Sequence, residues 1–107
     1  MSDFFLAADP EQQKRERNKA RELRAGQWWK NQVGRGQCYY CHARFHPSEL
    51  TMDHKTPIAR GGRSTKNNLV PACKDCNNEK KHRTLSEWIA EREAEGRRLS
   101  CAEAEWY

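Results

Sequence analysis

The chain has 107 residues, of which 36% are apolar and 33% charged. That length suits one domain, or one small domain with extensions, and that apolar share leaves a core that needs a staple; no apolar run approaches membrane-spanning length. The net charge of +5 is uneven: residues 11–35 carry eight Lys/Arg against three Glu, residues 36–83 nine against four acids, and residues 84–107 three Arg against six Glu. A basic front and centre suit a polyanion partner, although a solvated basic surface has the same composition.

In chain order, residues 1–9 read as a loose N-terminus. "FFLAA" is too short for an export signal, so a cytoplasmic, reducing setting is expected, where cysteines hold metal more often than they form disulfides. Asp9-Pro10 is a cap followed by a first-turn proline, which predicts one helix from Pro10 to the Trp28-Trp29 region. Its surface is nearly all polar. Lys14, Arg15, Arg17, Lys19, Arg21 and Arg24 stand against Glu11, Glu16 and Glu22, and only Ala20, Leu23 and the tryptophans offer packing. The segment 10–35 is therefore either a solvated arm or a nucleic-acid contact.

Residues 50–53 and 69–72 predict short strands, the second at an edge because of Pro71. Between them "HKTPIARGGRSTKNN" is a long loop. Residues 74–82 predict a helix. Thr84 to Glu87 is a capping box that opens another, with Leu85, Trp88 and Ile89 on one face and a stop near Gly96. Ser100 to Glu103 repeats the box.

Two C-x-x-C pairs, Cys38/Cys41 and Cys73/Cys76, frame the centre. Two intervening residues let one turn aim both sulfurs at one ion, and two such turns complete a tetrahedral thiolate shell: a closed, structural Zn²⁺ site. Cys101 is left over as a packed or free thiol. The segment between the pairs contains Asp53-His54 at a strand end and Asn68 before the next strand, and Asn77 follows the last cysteine of the pair. A carboxylate, an imidazole and carboxamides in a basic surround are the groups that metal-assisted phosphodiester hydrolysis uses.

The order D-H-x-x-P, G-G, N-L-x-P-x-C, C-N-x-x-K, carried here by Asp53-His54, Pro57, Gly61-Gly62, Asn68-Leu69, Pro71, Cys73, Cys76-Asn77 and Lys80, closely resembles the HNH endonuclease motif in its zinc-knuckle subclass. The resemblance spans about residues 38–83. It implies an α+β fold: a ββα-metal (His-Me finger) core braced by zinc over residues 36–83, flanked by the basic helical segment 10–35 and a helical extension, 84–107. It implies that His54 activates water, that Asp53 and Asn77 hold a divalent cation, Mg²⁺ or Mn²⁺, and that Asn68 braces the loop and orients His54. Asparagine at 77, where the family often has histidine, bears on the choice of metal. Lys80 is expected at phosphate or exposed on its helix. His82 is the spare histidine best placed for a phosphate, whereas His42 and His46 have no motif role. The implied substrate is DNA, double-stranded by default, with no membrane partner. Two other readings stay open: a silent zinc-held nucleic-acid-binding module, and a zinc-built protein-interaction domain using Trp88 and the acidic tail.

Overall fold

Asp9 starts the first helix as its sequence demands: its carboxylate accepts the Gln12 N–H at 2.9 Å, with Pro10 in the first turn. The computed structural model describes residues 9–96. The single helix expected through the tryptophans is two, α1 (Pro10–Ala25) and α2 (Gln27–Gly34). The break is Gly26, extended at φ −92°, ψ 171°, with its N–H on the Leu23 carbonyl. Glycine costs about 1 kcal/mol inside a helix relative to alanine, so the chain turns there. Beyond the turn α2 buries Trp29.

The first cysteine pair sits in a tight knuckle, closed by Cys38 N–H to the Ala43 carbonyl and His42 N–H to the Cys38 carbonyl. Gly36 leads into it at φ +64°, where a Cβ would meet the Phe45 carbonyl at 2.8 Å, so only glycine fits. A 3-10 turn at Pro47–Glu49 then delivers strand β1 (Leu50–His54). His46 caps that turn, its Nδ1 accepting the Ser48 N–H, which gives this histidine a structural task.

Strand β2 (Leu69–Cys73) pairs antiparallel with β1, Leu50 opposite Cys73 and His54 opposite Leu69. The sheet has two strands among the described residues, so both are edges and Pro71 is tolerated opposite Met52. Helix α3 (Lys74–Lys80) follows without a loop: Cys73 ends β2 and also caps α3, its sulfur accepting the Cys76 N–H. The hairpin and α3 form the ββα unit. Helix α4 (Leu85–Ala94) opens on the expected box, with Thr84 Oγ accepting from Glu87 N–H and Glu87 from Thr84 N–H.

The core joins both cysteine pairs to Tyr40, Ala43, Leu50, Val70, Ala72 and Trp88; four of its ten residues are cysteines. Trp88 is 0% exposed, edge-on to Tyr40, with its Nε1–H on Glu79. It therefore cannot serve as the exposed partner-binding residue of the protein-interaction reading. The box at Ser100–Glu103 and Cys101 lie outside the described residues. Among the described residues no helix is long and apolar enough to cross a membrane.

Candidate active site and metal centre

Cys38, Cys41, Cys73 and Cys76 are all buried, form no disulfide, and their sulfurs lie within 4.8 Å of one another. A tetrahedral ion with Zn–S bonds near 2.3 Å needs S···S edges of about 3.8 Å, so the four thiols are placed to hold one metal ion with little rearrangement. The Cys76 side chain hydrogen-bonds to Cys38, and this, with backbone N–H groups around it, brings the Cys38 thiol down to about 4 against the opposing effect of burial. A thiolate is the form in which a cysteine binds structural zinc.

The strand alternation of β1 divides the other functional groups. Thr51 and Asp53 point toward α3, where Thr51 Oγ receives the Asn77 amide at 3.3 Å and Asp53 receives Lys80 Nζ at 3.3 Å. Met52 and His54 point toward α1: Arg24 donates to the Met52 sulfur, and His54 Nε2 lies 2.9 Å from Ser64 Oγ, which is bonded to Glu16. Asp53 is 7% exposed. Tyr40 Oη–H also donates to it, and burial, aided by Asp53, keeps that phenol protonated well above its ordinary range. Among the described residues, both of these contacts fall on Asp53 Oδ2.

Asp53 and His54 open onto a cleft of ≈ 270 Å³. Arg17 and Gln13 of α1, with Lys81 and His82 after α3, line it as well. Burial pushes the His54 imidazole below its ordinary value, only partly offset by the nearby Asp53 carboxylate, so the ring favours its neutral, basic form. A larger concavity of ≈ 390 Å³ lies elsewhere, lined by Arg35, Tyr39, His42, Lys55 and Lys66 among others. It contains neither Asp53 nor His54, which line the smaller cleft instead.

Asn68 hydrogen-bonds within the loop between the strands. Its Oδ1 accepts the Thr56 N–H at 2.9 Å and its Nδ2 donates to the Thr56 and Arg63 carbonyls, tying the loop at Thr56 and at Arg63, the residue before Ser64. Gly62 lies so close that a Cβ would stand 1.7 Å from the Thr56 carbonyl oxygen. Asn77 is half-buried on the side facing β1, whereas Asn78 is exposed. Asn77 and Asp53 thus share the α3-facing side of β1, one strand repeat apart through Thr51.

Lys80 departs from its expected place at phosphate or on the surface. It is 0% exposed, donating to the His54 carbonyl at 2.9 Å and paired with Asp53. The reason is helical spacing: with Asn77 over Thr51, the residue three on lies over Asp53. Among the α1 cations, Arg17 reaches the cleft, Lys14 and Arg15 are exposed, Lys19 pairs with Glu16, Arg21 donates to Asn18, and Arg24 rests on Met52. Sequence reasoning missed Tyr40, Glu16 and Ser64. Only the serine beside Gly61-Gly62 hinted at its role, through proximity to the motif.

Compared with known protein families, residues 38–83 match the one described as HNH endonuclease. No curated protein matches the chain.

Proposed function

We propose that the chain, whose residues 38–83 match the HNH endonuclease family, is a metal-dependent endonuclease that hydrolyses DNA phosphodiester bonds. The observation that carries this reading is the cleft in which His54 and Asp53 sit together beneath Arg17, Lys81 and His82. A neutral imidazole in a cation-rimmed recess suits water activation beside a phosphodiester. In this reading His54 takes the proton of the attacking water. Arg17, Lys81 and His82 hold the backbone of the strand, Lys14 and Arg15 extend that contact along α1, and Tyr40 and Lys80 fix the Asp53 carboxylate. Hard oxygen donors on Asp53 and Asn77 suit Mg²⁺ or Mn²⁺, which would neutralise the scissile phosphate and the departing oxygen. The four cysteines hold a structural Zn²⁺ that sets the start of α3.

A second reading, a zinc-held nucleic-acid-binding module without catalysis, draws on Lys80, whose buried ammonium already neutralises Asp53. One assay separates the two. Purified chain is incubated with supercoiled plasmid and Mg²⁺ or Mn²⁺, with and without chelator, beside His54→Ala. Nicked or linear product that needs both cation and His54 supports the nuclease. DNA binding without product in any cation supports the silent module.

A further inference from the structure

His54 rests on a serine, and that serine is held by the N-terminal helix, outside the family-matched segment. His54 Nε2 lies 2.9 Å from Ser64 Oγ. Ser64 Oγ–H donates to the backbone carbonyl of Glu16 at 2.5 Å, and Ser64 N–H donates to the Glu16 carboxylate at 2.6 Å. Both residues are 3% exposed. Glu16 is the buried acid of α1, while Lys14, Arg15 and Arg17 around it are exposed. A buried carboxylate is costly unless its oxygens are satisfied, and here the loop 48 residues away satisfies it, with Lys19 adding a longer contact at 3.4 Å.

The direction of the chain follows from proton counting. A carbonyl oxygen only accepts, and a serine hydroxyl has one proton to give. With that proton on the Glu16 carbonyl, Ser64 Oγ accepts from His54. The neutral ring then carries its hydrogen on Nε2 and keeps its lone pair on Nδ1. Among the described residues Nδ1 has no hydrogen-bond partner, and the ring lines the cleft. A Ser64 hydroxyl released from Glu16 could rotate and donate to Nε2. That would favour the other tautomer, whose Nδ1 has no lone pair with which to take a proton.

We infer that Glu16 and Ser64 are positioning residues for His54: α1 supplies the acceptor that turns the Ser64 hydroxyl toward accepting, and this holds Nε2 protonated and Nδ1 open to the cleft. The consequence for rate rests on the nuclease reading; the tautomer does not. The N-terminal helix is accordingly part of the active site, and the Glu16 backbone carbonyl, acting through Ser64, selects which ring nitrogen carries the hydrogen.

The test uses the full chain labelled with ¹⁵N-histidine, since protonated and unprotonated ring nitrogens have distinct ¹⁵N shifts; the His54 signals are those missing from His54→Ala. Wild type should show a single Nε2–H tautomer. Ser64→Ala should show mixed tautomers and a kcat lower in proportion to the Nε2–H fraction lost, about two-fold for an even mixture. Its melting temperature and its DNA affinity in chelator should be unchanged. Every Glu16 variant keeps the backbone carbonyl; Glu16→Gln also keeps a side-chain acceptor for the Ser64 N–H and should retain the Nε2–H tautomer, whereas Glu16→Ala loses the bond that seats Ser64 against that carbonyl and should shift toward the Ser64→Ala spectrum. An Nδ1–H tautomer in wild type, or an unchanged kcat in Ser64→Ala, overturns the proposal. If Ser64→Ala melts early, the wild-type spectrum and Glu16→Gln still decide. A wild-type chain that binds DNA without cutting it sinks the nuclease reading, and the spectra then judge the hydrogen-bond chain by themselves.

Discussion

Replacing Cys73 with serine, or stripping the metal, tests the scaffold on which the site depends. Cys73 is buried at the junction of three features: it ends β2, caps α3 through its sulfur, and belongs to the four-sulfur cluster. A domain of this size has a total stability of about 5–15 kcal/mol. Zinc bound by four thiolates supplies about 10–16 kcal/mol of apparent binding energy at neutral pH. The metal term is therefore as large as the whole stability, in a core where four of ten residues are its ligands. Cys73→Ser should cost at least about 4 kcal/mol, the range associated with losing a metal or disulfide. At about 4 °C per kcal/mol that lowers the melting temperature by at least roughly 16 °C. Melting followed by circular dichroism, with metal analysis of natively purified protein, reads this directly. One zinc per chain and a chelator-sensitive fold are expected. Zinc-free protein that melts normally, or a Cys73→Ser variant within a few degrees of wild type, would refute the reasoning.

Three further outcomes follow from the site. His54→Ala should lose about 10²–10⁴ in cleavage rate while keeping its melting temperature and DNA affinity; near-wild-type cleavage would move the base to another group, His82 first. Asn77→Ala should be nearly inactive with Mg²⁺, Asn77→His should shift preference toward transition metals, and the exposed Asn78→Ala should do little; equal Mg²⁺-dependent cleavage by wild type and Asn77→Ala would reduce Asn77 to a partner of Thr51. The Glu16 carboxyl is held below its ordinary value chiefly by the Ser64 N–H, so its contribution to docking α1 is present above 4.5 and is lost as pH falls through the folded value; hydrogen exchange should show α1 loosening on acidification in wild type and not in Glu16→Gln.

The cysteine pairs, both strands, the α4 capping box and the glycine-rich loop were legible because each rests on local geometry: ligand spacing, alternation, a four-residue cap. The break at Gly26 was not legible, because whether one glycine breaks a helix depends on what the following turn buries, here Trp29. Lys80 was misplaced because a seven-residue helix carries too little periodicity to declare its buried side. Glu16 looked like one more solvated acid on a charged helix. Its partner lies in another element, and no local pattern encodes a contact across 48 residues.

What unites the site is the two-residue repeat of β1. Adjacent residues of a strand face opposite ways, so Asp53 and His54 cannot be held by the same layer. Asp53 belongs to the zinc-anchored side, through Lys80 of α3 and Tyr40 of the knuckle. His54 belongs to the side of α1, through Ser64 and Glu16. Lys80 bridges the two by also binding the His54 carbonyl, which ties the backbone between them to α3. The metal knuckle alone would therefore orient the carboxylate and leave the imidazole ring unfixed. The basic helix alone has little apolar surface with which to fold. Each half of the proposed chemistry needs a different flank of the hairpin, and the cleft exists where the two flanks meet.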